Sequence, residues 1–207
     1  MISILIPICN GIEFINESVN SIKLQTYKNW ELIIGINGLP QNSHVYKKAL
    51  EYQSDKIKIY DLYTIKGKAN ALNKMLEFCS YNWIAILDVD DKWLPTKLEK
   101  QIKYLNDYDI IGTKCKYFGD LSICPNIPTG DISKFNFLKV NPIINSSSLI
   151  KKELCEWKEN GLEDYDLWLK LWKKGKKFFN VNSILVLHRI HKQSAFNSKG
   201  NHLKVSD

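Results

Sequence analysis

Apolar positions come in short runs separated by amphipathic stretches. Ile2–Ile8 is a β-branched run, the mark of a strand buried on both faces. Phe14–Gln25 follows with Phe14, Ile15, Val19, Ile22 and Leu24 near helical spacing. Trp30–Ile36 is a second apolar run, closed by the turn signal Asn37-Gly38. Val45–Ser54 fits a helix and Ile57–Tyr63 alternates as a strand does. Ala69–Cys79 returns to helical spacing, and Trp83–Leu87 is a compact strand that ends in acid. Alternating strands and helices imply crossover units, hence an α/β protein with a mainly parallel central sheet flanked by helices. Such sheets bind ligands at the carboxyl ends of their strands, here Pro7–Asn10, Ile36–Gly38, Tyr63–Lys68 and Asp88–Asp91. Beyond about Asn106 the pattern is less regular, and the proline-rich Cys124–Gly130 reads as a loop.

The 207 residues are 44% hydrophobic and 25% charged, an ordinary globular mixture that excludes disordered and fibrous chains. Of 29 basic residues only Arg189 is arginine, and the net charge is +7. Base-reading proteins rely on the planar arginine fork, so this charge argues against nucleic acid as a partner. The five cysteines are scattered and include no C-x-x-C pair, which predicts reduced thiols and a cytoplasmic protein. The first apolar run is short and has no basic residue before it, so it reads as a strand rather than a signal peptide. No stretch reaches the roughly 18 apolar residues that span a bilayer.

Two acidic constellations stand out. Asp88-Val-Asp90-Asp91 ends a buried strand, where three mutually repelling carboxylates require a cation or hydrogen-bond donors. Hard divalent ions bind through one or two such carboxylates plus substrate phosphates. A plainer role for Asp90 or Asp91, and one that suits Asp91, is capping the helix that begins near Pro95. Glu163-Asp164-Tyr-Asp166 opens a helix whose Leu167, Trp168, Leu171 and Trp172 have core spacing. Acids in a first turn favour the helix dipole, and one held there is also placed to act as a general base.

Seven segments, in order from residue 1 to about 196, resemble the GT-A-fold glycosyltransferases of family 2. They are Ile4–Asn10, Leu24–Ile34, Gly67–Asn73, Asp88–Leu98 with its D-x-D-D stretch, Asn145–Ser147, Glu163–Leu169 with its Glu-Asp pair, and Arg189-Ile-His191 followed by Ser194. The resemblance implies one GT-A domain. Residues 1–105 would form a Rossmann-like, nucleotide-sugar-binding half and 106–196 an acceptor half, with 197–207 as a tail. It implies an inverting transfer from a nucleotide-diphosphate sugar to a glycan or lipid-linked saccharide. The donor would meet Pro7, Cys9, Asn10, Asn37, Lys68, Asp88, Asp90 and Arg189. Mn²⁺ or Mg²⁺ would sit on Asp90, with His191 either a ligand or a satisfied polar residue. Asp164 would be the general base with Glu163 beside it, and Trp93, Ser146, Ser147 and Trp168 would shape the acceptor side.

Two positions depart from that family pattern. Cys9 stands where a tyrosine is usual, and Ile36 takes the place of an aspartate that often partners uracil. UDP-sugars remain the first expectation for the donor, ahead of dTDP- and GDP-sugars. The alternative is a catalytically impaired binding protein of the same fold, against which the retained acids, Arg189 and His191 argue. The lysines of Lys170–Lys177 suggest either a solvated helix end or a peripheral contact with anionic lipid. Acceptor choice is expected to lie in Lys114–Asn141, and the chain's shortness suggests no appended acceptor-recognition domain.

Overall fold

A computed structural model describes residues 1–191. Its strands are β1 (Ile2–Ile8), β2 (Trp30–Asn37), β3 (Ile57–Leu62), β4 (Trp83–Ile86), β5 (Lys92–Trp93), β6 (Ile110–Gly119), β7 (Gly130–Asp131), β8 (Leu149–Lys151) and β9 (Phe178–Ile190). The helices are α1 (Ile15–Lys23), α2 (His44–Leu50), α3 (Lys68–Met75), α4 (Lys97–Gln101) and α5 (Glu163–Lys173). All nine strands join one sheet in the order β3-β2-β1-β4-β8-β6-β9-β5, with β7 also pairing β9. The long pairings, β1 with β2, β2 with β3 and β6 with β9, are parallel; β5, β7 and β8 are short antiparallel additions.

Strand alternation sorts the core into two layers. Ile4, Ile6 and Ile8 of β1 pack with Val19 and Ile22 of α1 and Ala49 of α2. Leu5 points the other way, into a layer built on Leu72 and Met75 of α3 and Leu167, Trp168 and Leu171 of α5. Both faces of the parallel strands are therefore covered, which explains their nearly unbroken apolar sequence.

Every element expected before residue 88 is present, with helix ends trimmed: α2 stops at Leu50, and α3 at Met75 before a 3₁₀ turn over Leu76–Phe78. The second half is richer in strand than its sequence suggested. β9 pairs with β6 over ten residues, and its register shifts between Thr113 and Cys115 of β6. That irregularity lets the far half of β9 reach β5, pairing Leu187 with Lys92 and Val186 with Trp93. Cys124–Pro128 has no regular structure, as its prolines imply. No described helix is long and apolar enough to cross a membrane.

One core group is anomalous. Lys97 is fully buried, its Nζ 2.8 Å from Gln101 Oε1 and 3.9 Å from the Trp93 ring centroid. Burial holds its pKa well below 10.5, whereas the unfolded chain keeps an ordinary lysine. The unfolded state then carries a proton that the native state lacks, so this residue adds stability as pH rises towards about 10.5. Relative to Lys97→Met, the wild-type protein should gain up to about 1.4 kcal/mol of unfolding free energy per pH unit in that window. Urea denaturation of both proteins from pH 7 to 10 checks this; parallel stability curves contradict it.

Candidate active site

The carboxyl ends of β1, β2 and β4, the start of α3 and the first turn of α5 surround one opening. Asp88 follows β4. Lys68, the first residue of α3, donates to Asp88 Oδ1 at 2.5 Å, and Asn145 Nδ2 lies 3.2 and 3.1 Å from its two oxygens. Burial works against the Asp88 charge, but Lys68, Asn145 and His188 outweigh it and hold the carboxyl below the ordinary aspartate range. Asp88 and its acidic neighbours in turn keep the Lys68 ammonium charged in spite of its own burial.

Asp90 is compensated less fully. Burial raises its pKa and the Asp91 and Asp88 charges add to that; His191, with Nε2 at 3.1 Å from Asp90 Oδ2, opposes it. Asp91 has a different role from the helix cap expected of it. It is fully buried, accepts the Arg189 backbone N–H at 2.8 Å and lies 2.9 Å from His188 Nδ1, whereas Thr96 occupies the cap position before α4. Burial disfavours the charged form of His188, but Asp91 overrides it and lifts the imidazole pKa to about 9.

Arg189 was expected over phosphates. Its Nε instead donates to the Asp90 carbonyl at 2.8 Å and its terminal nitrogen to Glu17 at 2.9 Å, with the guanidinium between the Phe14 and Phe118 rings. It braces the acidic turn from behind. Asn37 is likewise buried and donates to the Gly67 carbonyl, joining the end of β2 to the start of α3. Cys9 and Asn10 are exposed at the end of β1, beyond half-buried Pro7.

Asp164 is half-buried in the first turn of α5 and accepts from Asn141 Nδ2 at 3.3 Å. Burial raises its pKa, while Lys68 and nearby backbone amides restrain the rise. Glu163 stands beside it, half-buried. Four other expectations are corrected. Trp168 is fully buried and Trp93 nearly so, leaving neither ring a face for a sugar. Trp93 Nε1 donates to the Ser146 carbonyl at 2.7 Å. Ser146 and Ser147 are also buried: Ser146 Oγ accepts the Asp88 N–H at 3.1 Å and Ser147 Oγ the Thr113 N–H at 3.2 Å. They support the floor of the site and do not touch its contents. Ser194 lies outside the described residues. Asn141, Asn145, His188 and Glu17 were not singled out from sequence; only Asn145 carried a signal, as part of a matched segment.

Among the described residues no three His, Cys, Asp or Glu side chains form a metal-holding group. Asp90 and His191 do converge, and Asp90 lacks full compensation, so this pair suits a hard cation that takes its remaining ligands from substrate oxygens and water. The lysine patch on α5 is of mixed sign: Lys170 pairs with Glu156, and Glu153 lines the same groove.

A sequence profile of glycosyl transferase family 2 matches residues 3–144. The chain belongs to this family. Among curated relatives, the O-antigen biosynthesis glycosyltransferase WbnJ of Escherichia coli is 30% identical, the match covering 94% of this chain and 81% of WbnJ. WfgD of Escherichia coli, a UDP-Glc:alpha-D-GlcNAc-diphosphoundecaprenol beta-1,3-glucosyltransferase, is 28% identical over 99% of this chain and 83% of its own. TarS of Staphylococcus aureus, solved with UDP-GlcNAc, superposes with a TM-score of 0.79 at 14% identity. That match covers 95% of this chain but only 60% of the TarS fragment. The mannosyltransferase PcManGT of Pyrobaculum calidifontis, solved with GDP-Man and Mn²⁺, gives 0.69 at 16% identity, with coverage of 94% and 58%. The fold is thus that of the GT-A glycosyltransferases.

Because Ser146 Oγ is the acceptor for the Asp88 N–H, the family 2 site has a checkable support. Ser146→Ala should cost about 1–3 kcal/mol, the penalty for a buried donor without a partner, read as a lower urea midpoint at unchanged m-value.

Proposed function

We propose that the protein is an inverting glycosyltransferase that moves a sugar from a nucleotide diphosphate, UDP first, to a hydroxyl of a glycan or lipid-linked acceptor. The observation that carries this reading is the pairing, across one opening, of a compensated carboxylate (Asp88 with Lys68 and Asn145), an under-compensated one (Asp90 with His191) and a half-buried one (Asp164) whose pKa is raised. WfgD's name specifies a UDP-sugar donor and a lipid-linked acceptor, and TarS was solved with UDP-GlcNAc, which supports both halves of the assignment.

In this reading Asp88 receives the ribose hydroxyls, kept ionised by Lys68. Asp90 and His191 would hold a divalent ion, Mn²⁺ or Mg²⁺, which when bound would supply positive charge opposite the departing diphosphate. Asp164 accepts the proton of the acceptor hydroxyl as its oxygen attacks the anomeric carbon. The bond from that carbon to the diphosphate breaks, its electron pair leaves with the diphosphate, and attack from the opposite face inverts the configuration. Arg189, His188 and Asp91 keep the acidic turn in place without touching substrate.

Thermal-shift titration with UDP, GDP, dTDP and CDP, each with and without Mn²⁺, tests the donor side. One nucleotide should stabilise the protein only with metal, by about 2.7 kcal/mol at a hundred times its dissociation constant, and Asp90→Asn should remove the effect. If no nucleotide shifts the melt of the folded protein, the donor assignment fails.

The base is tested separately. Asp164→Asn should lower turnover by about 10²–10⁴-fold while keeping the nucleotide shift. Only the ionised form accepts a proton, and burial raises the pKa of Asp164, so the acid limb of kcat should lie above the ordinary aspartate range. A limb at or below about pH 3.9 would remove Asp164 from that role.

A further inference from the structure

The loop that leads into Asp164 is fastened to the helix that holds Asp88. Trp157 is buried against the α3 layer, and its backbone is gripped from both sides by one side chain. Asn73 Nδ2 donates to the Trp157 carbonyl at 2.8 Å, and the Trp157 N–H donates back to Asn73 Oδ1 at 3.0 Å. Two residues on, Glu159 Oε2 accepts the Ala69 N–H at 3.0 Å, placing a carboxylate at the positive end of α3. Ala69 and Asn73 stand four residues apart, so the loop follows a single strip of the helix. Gly67 makes the close seat possible: with φ of +88°, it sits where an added Cβ would lie 2.2 Å from Glu159 Oε2.

These contacts matter because of what each end carries. The first residue of α3 is Lys68, bonded to Asp88. The loop ends at Leu162, which precedes α5 without any side-chain cap, and Asp164 is in the first turn of α5. One eight-residue helix therefore touches the donor-side carboxylate with its first residue and the acceptor-side loop with its second and sixth. Asparagine is well suited to position 73, since aspartate lacks the donor and glutamine is a methylene longer.

We propose that Asn73 and Glu159 are positioning residues which, through the backbone of residues 157–162, fix Asp164 relative to Asp88. This rests on the assignment of Asp164 as the base. A displacement of about 1 Å at a reacting group is enough to cost on the order of 10²-fold in rate.

The test uses the full chain with Mn²⁺, UDP-glucose and GlcNAc-diphosphoundecaprenol, comparing wild type with Asn73→Ala, Glu159→Ala and Glu159→Gln. Asn73→Ala should lower kcat about 10- to 100-fold with the donor KM within twofold, and speed amide hydrogen exchange in residues 157–166 but not in α1. Glu159→Ala, at an exposed position, should show the same split more weakly, with partial rescue by Glu159→Gln. Unchanged kcat despite faster exchange overturns the proposal, as does a donor KM that rises as far as kcat falls. Turnover retained by Asp164→Asn would sink the base assignment alone. If the wild type transfers no sugar, exchange decides: acceleration confined to 157–166 upholds the fastening, and unchanged exchange overturns it.

Discussion

Three carboxylates leave the buried strand β4 within four residues, and each needs positive charge or hydrogen-bond donors at short range. The surroundings of the opening follow from that constraint. Asp91 is met by His188 and a backbone amide, and it is sealed in. Asp88 is met by Lys68 and Asn145 and remains at the surface of the opening. Asp90 is met by His191 and a backbone hydrogen bond and stays short of full compensation. The gradation runs from a sealed acid, through a paired acid at the surface of the opening, to an under-compensated one, and it is set by the donors each finds.

Those donors come from distant parts of the sequence. Lys68 arrives on α3, Asn145 on the turn before β8, and His188 and His191 on or just past β9. The sheet makes this convergence possible, because β4 lies at the junction between its parallel half and the antiparallel β8. Residues entering from either side meet at its carboxyl end. Arg189 extends the arrangement outward, tying the Asp90 carbonyl to Glu17 of α1 between two aromatic rings.

The sequence was legible where local pattern and burial coincide. The parallel strands carry unbroken β-branched runs because both faces are covered, so β1, β2 and β4 were readable, and with them the strand ends that hold the acids. β9 was missed because asparagine, serine and histidine interrupt its apolar residues as it passes from core to site. Side-chain roles were harder. Ser146 and Ser147 sit in a motif that resembles an acceptor edge, yet their hydroxyls turn inward to backbone amides. Trp93 and Trp168 have residue types that suit sugars, but their faces are spent on core packing. Asn73 closes a matched segment, Gly67–Asn73, but its role gave no sign, since its partner is a backbone 84 residues away.

The register shift between β6 and β9 has a further consequence for how the chain tolerates change. The first half of β9 closes the sheet against β6 and β7, and its second half sets His188 and Arg189 under the acidic turn. The register shift near Thr113–Cys115 takes up the offset between the two tasks. Side chains alternate along a strand, so losing one residue from β9 beyond that shift would send every later side chain to the opposite face. Val186, His188 and Ile190 would exchange faces with Leu187 and Arg189. A substitution changes one of these side chains at a time, whereas a change of length in this strand changes the face of all of them.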